Sequence, residues 1–261
     1  MRIVLVLLTF LIFTPLLGGL VLLAKLFGVR ERPGGVYDWA PRTWTQLLVK
    51  AAGVRVVLHD AERTQTGEPL VYAANHVSWY DVFTLASVLP RYKFVAKSEL
   101  FAIPLFGPAA RAVGTIPIER DNRKEAFRAY DEAARRIRAG ASVVVFPEGT
   151  RGRDYPLRPF KKGPFVLAIA AQAPVVPTVV HGAIAVQPRD SFWVRSGTVH
   201  VHFLDPVPTA GLGYEDRDGL SRVVWQRMAD ALRALYSIDS PPLPAARVAA
   251  AASAATTISP S

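Results

Sequence analysis

Cysteine is absent from the 261 residues. That excludes a disulfide framework, zinc ribbons, iron–sulfur sites and a thiol nucleophile. Acidic residues are in the minority, 21 Asp+Glu against 31 Lys+Arg for a net charge of +10. The imbalance points to an anionic partner: nucleic acid, an acidic membrane surface or a phosphate-bearing substrate. Charge is missing or nearly so from two stretches. Residues 3–24 have no charged side chain, and the last twenty-one residues carry only Arg247. The second absence excludes a basic tail of the nucleic-acid-binding kind. Internal repeats are absent too. What is present is a 51% apolar chain, which argues against global disorder and suits one domain with an appendage.

The first uncharged stretch sets the compartment. As a helix, its 22 residues would span about 33 Å, enough for a hydrocarbon core of roughly 30 Å. Pro15 and Gly18-Gly19 interrupt it, so the expectation is a membrane anchor over residues 1–36, either a kinked transmembrane helix or a re-entrant hairpin. A cleaved signal peptide fits less well, because the run is long and Lys25-Leu26-Phe27 follows it. Lys25, Arg30, Arg32, Arg42, Lys50 and Arg55 outnumber Glu31 and Asp38 just beyond the run. Basic flanks stay on the cytoplasmic side, so the rest of the chain is expected at the cytoplasmic face of the cell membrane. Trp44, Leu47, Leu48, Ala51 and Ala52 form a helical stripe that suits either the membrane or the core.

Beyond the anchor, strand-like and helix-like segments alternate. Val54–Leu58, Leu70–Ala74, Phe94–Ala96, Thr115–Ile118, Ser142–Phe146, Val175–Val180 and Thr198–Phe203 read as strands. Asn122 to Glu125 resembles a capping box, opening a helix that Gly140 ends. Phe165–Ala171 and Leu220–Tyr236 read as helices. The predicted fold is α/β, a central mixed, largely parallel sheet flanked by helices, with an N-terminal membrane-embedded segment. Residues 37–240 form the folded domain. Residues 241–261, rich in Ala, Pro and Ser, read as a disordered tail.

Chemistry gathers after strand ends, where open α/β sheets place their ligands. Strand 70–74 runs into Asn75-His76-Val77-Ser78-Trp79-Tyr80-Asp81. His76 and Asp81 are five apart and would lie off one helical face. They meet only if His76 sits in a turn and Asp81 enters the next helix. Asp81 then accepts a hydrogen bond from one imidazole nitrogen and leaves the other as a base. Strand 142–146 runs into Pro147-Glu148-Gly149-Thr150-Arg151. Gly149 permits a tight turn, and Arg151 offers a planar fork to a phosphate. Glu148 would either bond a polyol hydroxyl or hold Arg151. Lys161 and Lys162 precede a helix, and Arg120 ends another strand. A base beside several cations fits a phosphate-bearing acceptor with a hydroxyl to activate.

The set Asn75-His76-x-Ser78-x-x-Asp81, Gly114 to Arg120, Phe146-Pro-Glu-Gly-Thr-Arg151 and Val175-Val176-Pro177 resembles the four motifs of the glycerolipid acyltransferases, of which the 1-acylglycerol-3-phosphate O-acyltransferases are the best-known members. The resemblance covers roughly residues 50–210. It implies that His76 is the general base and Asp81 its orienting partner. Arg120, Glu148, Gly149, Thr150, Arg151 and Lys161 would hold the acceptor's phosphate and glycerol. Val175, Val176 and Pro177 would border the acyl donor. It further implies a thioester co-substrate, acyl-coenzyme A or acyl carrier protein, a lysophospholipid acceptor, phosphatidic acid as product, and no metal or organic cofactor.

Rival readings rest on thinner signals. A lipid esterase would use Ser78 as nucleophile, but Val77-Ser78-Trp79 lacks the glycines of a hydrolase elbow. His200 and His202 share a strand face, yet without a third ligand a solvated face is expected; His59 and His181 receive no role. Arg135, Arg136 and Arg138 sit without any nucleic-acid fold signature, so no nucleic-acid partner is expected. A catalytically inactive membrane adaptor would keep the fold and lose the His76/Asp81 pair, which is intact.

Overall fold

The computed structural model of this chain describes residues 2–119 and 123–243. Arg120, proposed above as a phosphate contact, lies outside the described residues, as does Asn122 of the expected capping box. So does the tail from residue 244; residues 241–243 have no regular structure.

Seven strands among the described residues form one sheet: β1 Val54–His59, β2 Val71–Ala74, β3 Tyr92–Lys97, β4 Ile116–Ile118, β5 Ser142–Val145, β6 Val175–His181 and β7 Gly197–Phe203. Their order is β1-β7-β6-β2-β5-β3-β4. Every pairing is parallel except β6 with β7, so the sheet is mixed and mostly parallel, as the sequence pattern predicts. The central strands are apolar on both faces because helices cover both. On one side, Ala133, Ile137, Phe165, Leu167, Val224 and Met228 pack against Val143 and Val175; they come from α5 Arg123–Arg138, α6 Gly163–Ala171 and α8 Arg217–Tyr236. On the other, Ala52, Tyr80, Leu85, Ala183 and Val186 pack against Tyr72, Val144 and Val180. They come from α2 Val36–Ala52, α3 Trp79–Val88 and the four-residue α7 Ala183–Val186.

The N-terminal run is a single helix, α1 Arg2–Leu26, which passes through Pro15 without interruption. No hairpin forms within it; the turn comes later, between α1 and α2. The two helices run antiparallel, since Arg2 lies against Gly53 just past the end of α2 and Trp44 donates its indole N–H to Thr14 Oγ1 at 3.0 Å. α1 is long and apolar enough to cross a membrane, and little of it is buried. Its contact with the domain is nonetheless specific. Leu17 and Val21 pack on Tyr37 and Ala40, and a Cβ on Gly18 would sit 3.4 Å from that of Ala109 in α4 Phe106–Ala112.

Polar groups clamp the α1–α2 turn to the sheet. Lys93 on β3 is fully buried, and its ammonium reaches Glu31 at 2.7 Å, Asp38 at 3.6 Å and the Val113 carbonyl at 2.8 Å. A buried cation survives only when paired and hydrogen-bonded. The link therefore ties the turn of the apolar hairpin to the interior of the domain.

Candidate active site

β2 ends where its backbone pairing is replaced by a side chain. Asn75 donates from Nδ2 to the Val180 carbonyl at 2.9 Å and accepts the Val180 N–H through Oδ1 at 2.7 Å. The chain then turns through His76 and Val77, and Ser78 caps α3, its Oγ accepting the Tyr80 N–H at 3.1 Å. Asp81 closes the capping box. Its Oδ2 accepts the N–H groups of Val77 at 2.6 Å and Ser78 at 2.7 Å, and the same oxygen lies 3.0 Å from His76 Nδ1. The five-residue spacing thus resolves as expected: histidine in the turn, aspartate in the first helical turn. Asp81 is wholly buried and His76 nearly so. With Nδ1 turned to the carboxylate, Nε2 is the nitrogen left to take a proton.

The second turn docks on the first. Glu148 Oε1 accepts the His76 N–H at 2.9 Å, and the Gly152 N–H donates to the His76 carbonyl at 2.7 Å. The Phe146 ring stacks on the imidazole with centroids 4.1 Å apart. Gly149 has φ of +80°, a left-handed conformation that glycine adopts without strain. Glu148 does not hold Arg151. Its other oxygen, Oε2, is taken by the Arg158 guanidinium at 2.9 Å, and Arg158 also donates to the Thr150 carbonyl. Both carboxylate oxygens therefore brace the turn. Burial raises the Glu148 carboxyl above the usual range, against the pull of the His76 N–H and Arg158.

Arg151 stands apart from that brace. Its guanidinium lies 4.9 Å from the Trp79 ring centroid, a cation–π contact. The loop holding it is tied to Arg189 through a 2.6 Å bond from the Arg189 guanidinium to the Arg151 carbonyl. Lys161 donates its backbone N–H to the Pro147 carbonyl at 2.7 Å. Among the described residues it has no acidic partner, whereas Lys162 is paired with Asp218 at 2.8 Å.

A cavity of about 1220 Å³ joins these groups. His76, Glu148, Gly149, Thr150, Arg151 and Lys161 line its polar part. The apolar part is walled by Leu17, Gly18 and Val21 of α1, Trp44 of α2, Phe83 of α3 and Phe106 of α4. The N-terminal helix is thus a wall of the site as well as an apolar appendage. Trp44 packs on Phe10, Phe83 and Phe106, so the stripe it heads faces protein. Val175, Val176 and Pro177 do not reach the cavity. They lie fully buried in β6, between β2 and β7, because an apolar strand flanked on both edges and covered on both faces has no open side. Their effect on the site is indirect, through the register that brings Val180 to Asn75.

Ser78 is committed elsewhere: its hydroxyl donates to the Gln187 carbonyl at 2.7 Å while accepting from Tyr80. A serine so engaged is a helix cap, and the esterase reading loses its nucleophile. Arg158 was invisible to sequence reasoning, since it sits in a loop without periodicity. His59, given no role by the sequence pattern, lies 3.0 Å from His200, across a strand pairing that no local pattern announces.

An acyltransferase family model matches residues 55–181. The chain is 37% identical over 140 residues to the chloroplastic 1-acyl-sn-glycerol-3-phosphate acyltransferase BAT2 of Brassica napus, covering 53% of this chain and 41% of that protein. It is 36% identical over 151 residues to the lyso-ornithine lipid O-acyltransferase of Rhizobium meliloti, covering 58% of this chain and 49% of that one. The chain thus spans about half or less of the length of either relative. The crystal structure of the 1-acyl-sn-glycerophosphate (LPA) acyltransferase PlsC from Thermotoga maritima superposes with a TM-score of 0.74 at 25% identity, covering 92% of this chain and all of that one.

Proposed function

We propose that the chain, which an acyltransferase family model matches over residues 55–181, is a membrane-bound O-acyltransferase that moves a fatty acyl chain from a thioester, acyl-coenzyme A or acyl carrier protein, to the free hydroxyl of lysophosphatidic acid, giving phosphatidic acid. The observation that carries this reading is the 3.0 Å contact of His76 Nδ1 with Asp81 Oδ2 on the wall of a cavity that is cationic at one part and apolar at another.

His76 Nε2 removes the acceptor's hydroxyl proton as the oxygen attacks the thioester carbonyl. The buried Asp81 carboxylate stabilises the imidazolium that forms and fixes the ring's tautomer. Collapse of the tetrahedral intermediate expels the thiolate, which takes the proton back from His76. No acyl-enzyme intermediate, metal or organic cofactor takes part. A positioned base contributes about 10²–10⁴-fold, and holding both substrates in one cavity lowers the entropic barrier further. Arg151 and Lys161 attract the acceptor phosphate. Glu148 keeps their turn in place, with Gly149 and Thr150 forming the bend. The apolar part of the cavity takes the acyl chain, so α1 serves both membrane attachment and substrate enclosure. The basic flank of α1 keeps the domain on the cytoplasmic face of the cell membrane.

The named relative from Rhizobium meliloti acts on lyso-ornithine lipid, which favours other lysolipids as a second reading for the acceptor. One assay separates the alternatives: purified protein in mixed micelles with labelled acyl-coenzyme A and a panel of lysolipids. Labelled phosphatidic acid supports the proposal. An ester on another lysolipid alone replaces the acceptor, and free fatty acid alone refutes transfer.

A further inference from the structure

Four of the chain's five histidines lie on one face of the sheet, away from the cavity. The strand register puts them there. β1 pairs with β7 so that His59 stands beside His202, and β6 pairs with β7 so that His181 stands across from His200. Alternation along β7 points His200 and His202 the same way. His59 Nε2 lies 3.0 Å from His200 Nδ1. The rings of His59 and His202 stack with centroids 4.0 Å apart. One ring nitrogen from each of His59, His200 and His202 falls within 4.8 Å of the others. The Tyr236 hydroxyl, 2.7 Å from His202 Nε2, anchors that ring.

We propose that His59, His200 and His202 form a binding site for a divalent transition metal of the zinc class. Zinc–imidazole bonds of about 2.0–2.1 Å place two nitrogens of a tetrahedral site about 3.3–3.4 Å apart. The 3.0 Å pair is already near that spacing, and the third nitrogen lies within 4.8 Å of the other two. Imidazole nitrogens without thiolate or carboxylate select zinc, copper, nickel or cobalt over magnesium or calcium. Three protein ligands leave a fourth position for water. His59 and His200 are partly exposed while His202 is buried, so the metal has a route in from the side of the first two. The ion would join an edge strand to the sheet, since among the described residues β1 has β7 as its sole strand neighbour. This site is separate from the acyl-transfer chemistry and does not depend on that assignment.

The test uses the full-length protein without a histidine tag, in detergent and stripped with chelator. It is titrated with Zn²⁺ by calorimetry and with Co²⁺ by visible absorption. The expected result is one equivalent bound, a d–d absorption band for cobalt, and a rise in Tm of a few degrees with zinc. His200→Gln and His59→Gln should each weaken binding at least tenfold and abolish the rise in Tm, with acyl transfer unchanged. His76→Ala, which removes the histidine that lies apart from these four, should bind metal as the parent does. If His200→Gln fails to fold, the comparison rests on His59→Gln at the sheet edge. Binding absent in the parent chain, or equal in parent and the two glutamine variants, overturns the site.

Discussion

Histidine occurs in two settings in this molecule, and the partners differ. His76 stands alone against a buried carboxylate that also holds two backbone N–H groups. His59, His200 and His202 have each other, His181 and Tyr236 for neighbours, with a weaker pull from the Asp60 carboxylate. The carboxylate at Nδ1 fixes the tautomer of the His76 ring and leaves Nε2 as the nitrogen that can take a proton and return it. Rings packed on one another disfavour the charge. Burial first, and then the neighbouring imidazoles, push His202 down to about 4. The same side chain is therefore set up as a base at the end of β2 and, at His202, as a neutral nitrogen donor on β7.

The sharpest way to break the contrast is to take away the carboxylate. Asp81→Ala removes the acceptor of His76 Nδ1 and of the Val77 and Ser78 N–H groups. Turnover should fall at least about a thousandfold, inside the range for a mis-set base, and denaturant melts should show a loss on the order of 3 kcal/mol. Next in size is Arg151→Ala, which leaves His76 and Asp81 untouched. The acceptor KM should rise roughly tenfold while kcat and the donor KM hold, as expected when a phosphate loses one charge-assisted contact; steady-state kinetics with each substrate varied decides.

Glu148 gives a pH test. Its carboxyl is raised by burial, so the native state holds that proton more tightly than the unfolded chain. The stability this confers is full below the ordinary carboxylate range and is lost as pH climbs through the raised value. Glu148→Gln should remove that slope, so the Tm difference between variant and parent should shift in the variant's favour as pH rises from about 4 to 7. A constant difference would contradict the assignment. The smallest effect completes the contrast: His200→Gln should leave turnover within about twofold of the parent, because no group of the histidine cluster lines the cavity.

Local chemistry was the legible part of this chain. The His76 and Asp81 pairing could be read because both residues belong to one turn and one helix cap, where spacing dictates geometry. Strand and helix segments were visible for the same reason, through alternation and the 3.6-residue period. Contacts between distant segments were not. Nothing near Glu148 marks Arg158 as its partner, since that loop follows no period. β1 and β7 are neighbours only through the strand order, so His59 gave no sign that it stood beside His202. An apolar run such as residues 3–24 looks the same whether lipid or a cavity lies beside it, which hid the part α1 plays as a wall. Val175-Val176-Pro177 matched a motif by sequence, yet burial on both faces of β6 keeps those side chains from the cavity.

The most direct test of the account is the turnover of His76→Ala, measured with acyl-coenzyme A and lysophosphatidic acid beside its thermal melt. Among the described residues the imidazole's hydrogen bond is the one to Asp81, within the same turn and cap, so the variant should keep the parent's Tm within a few degrees while losing at least about a hundredfold in kcat. A folded variant that transfers acyl chains at near the parent's rate would show that His76 is not the base.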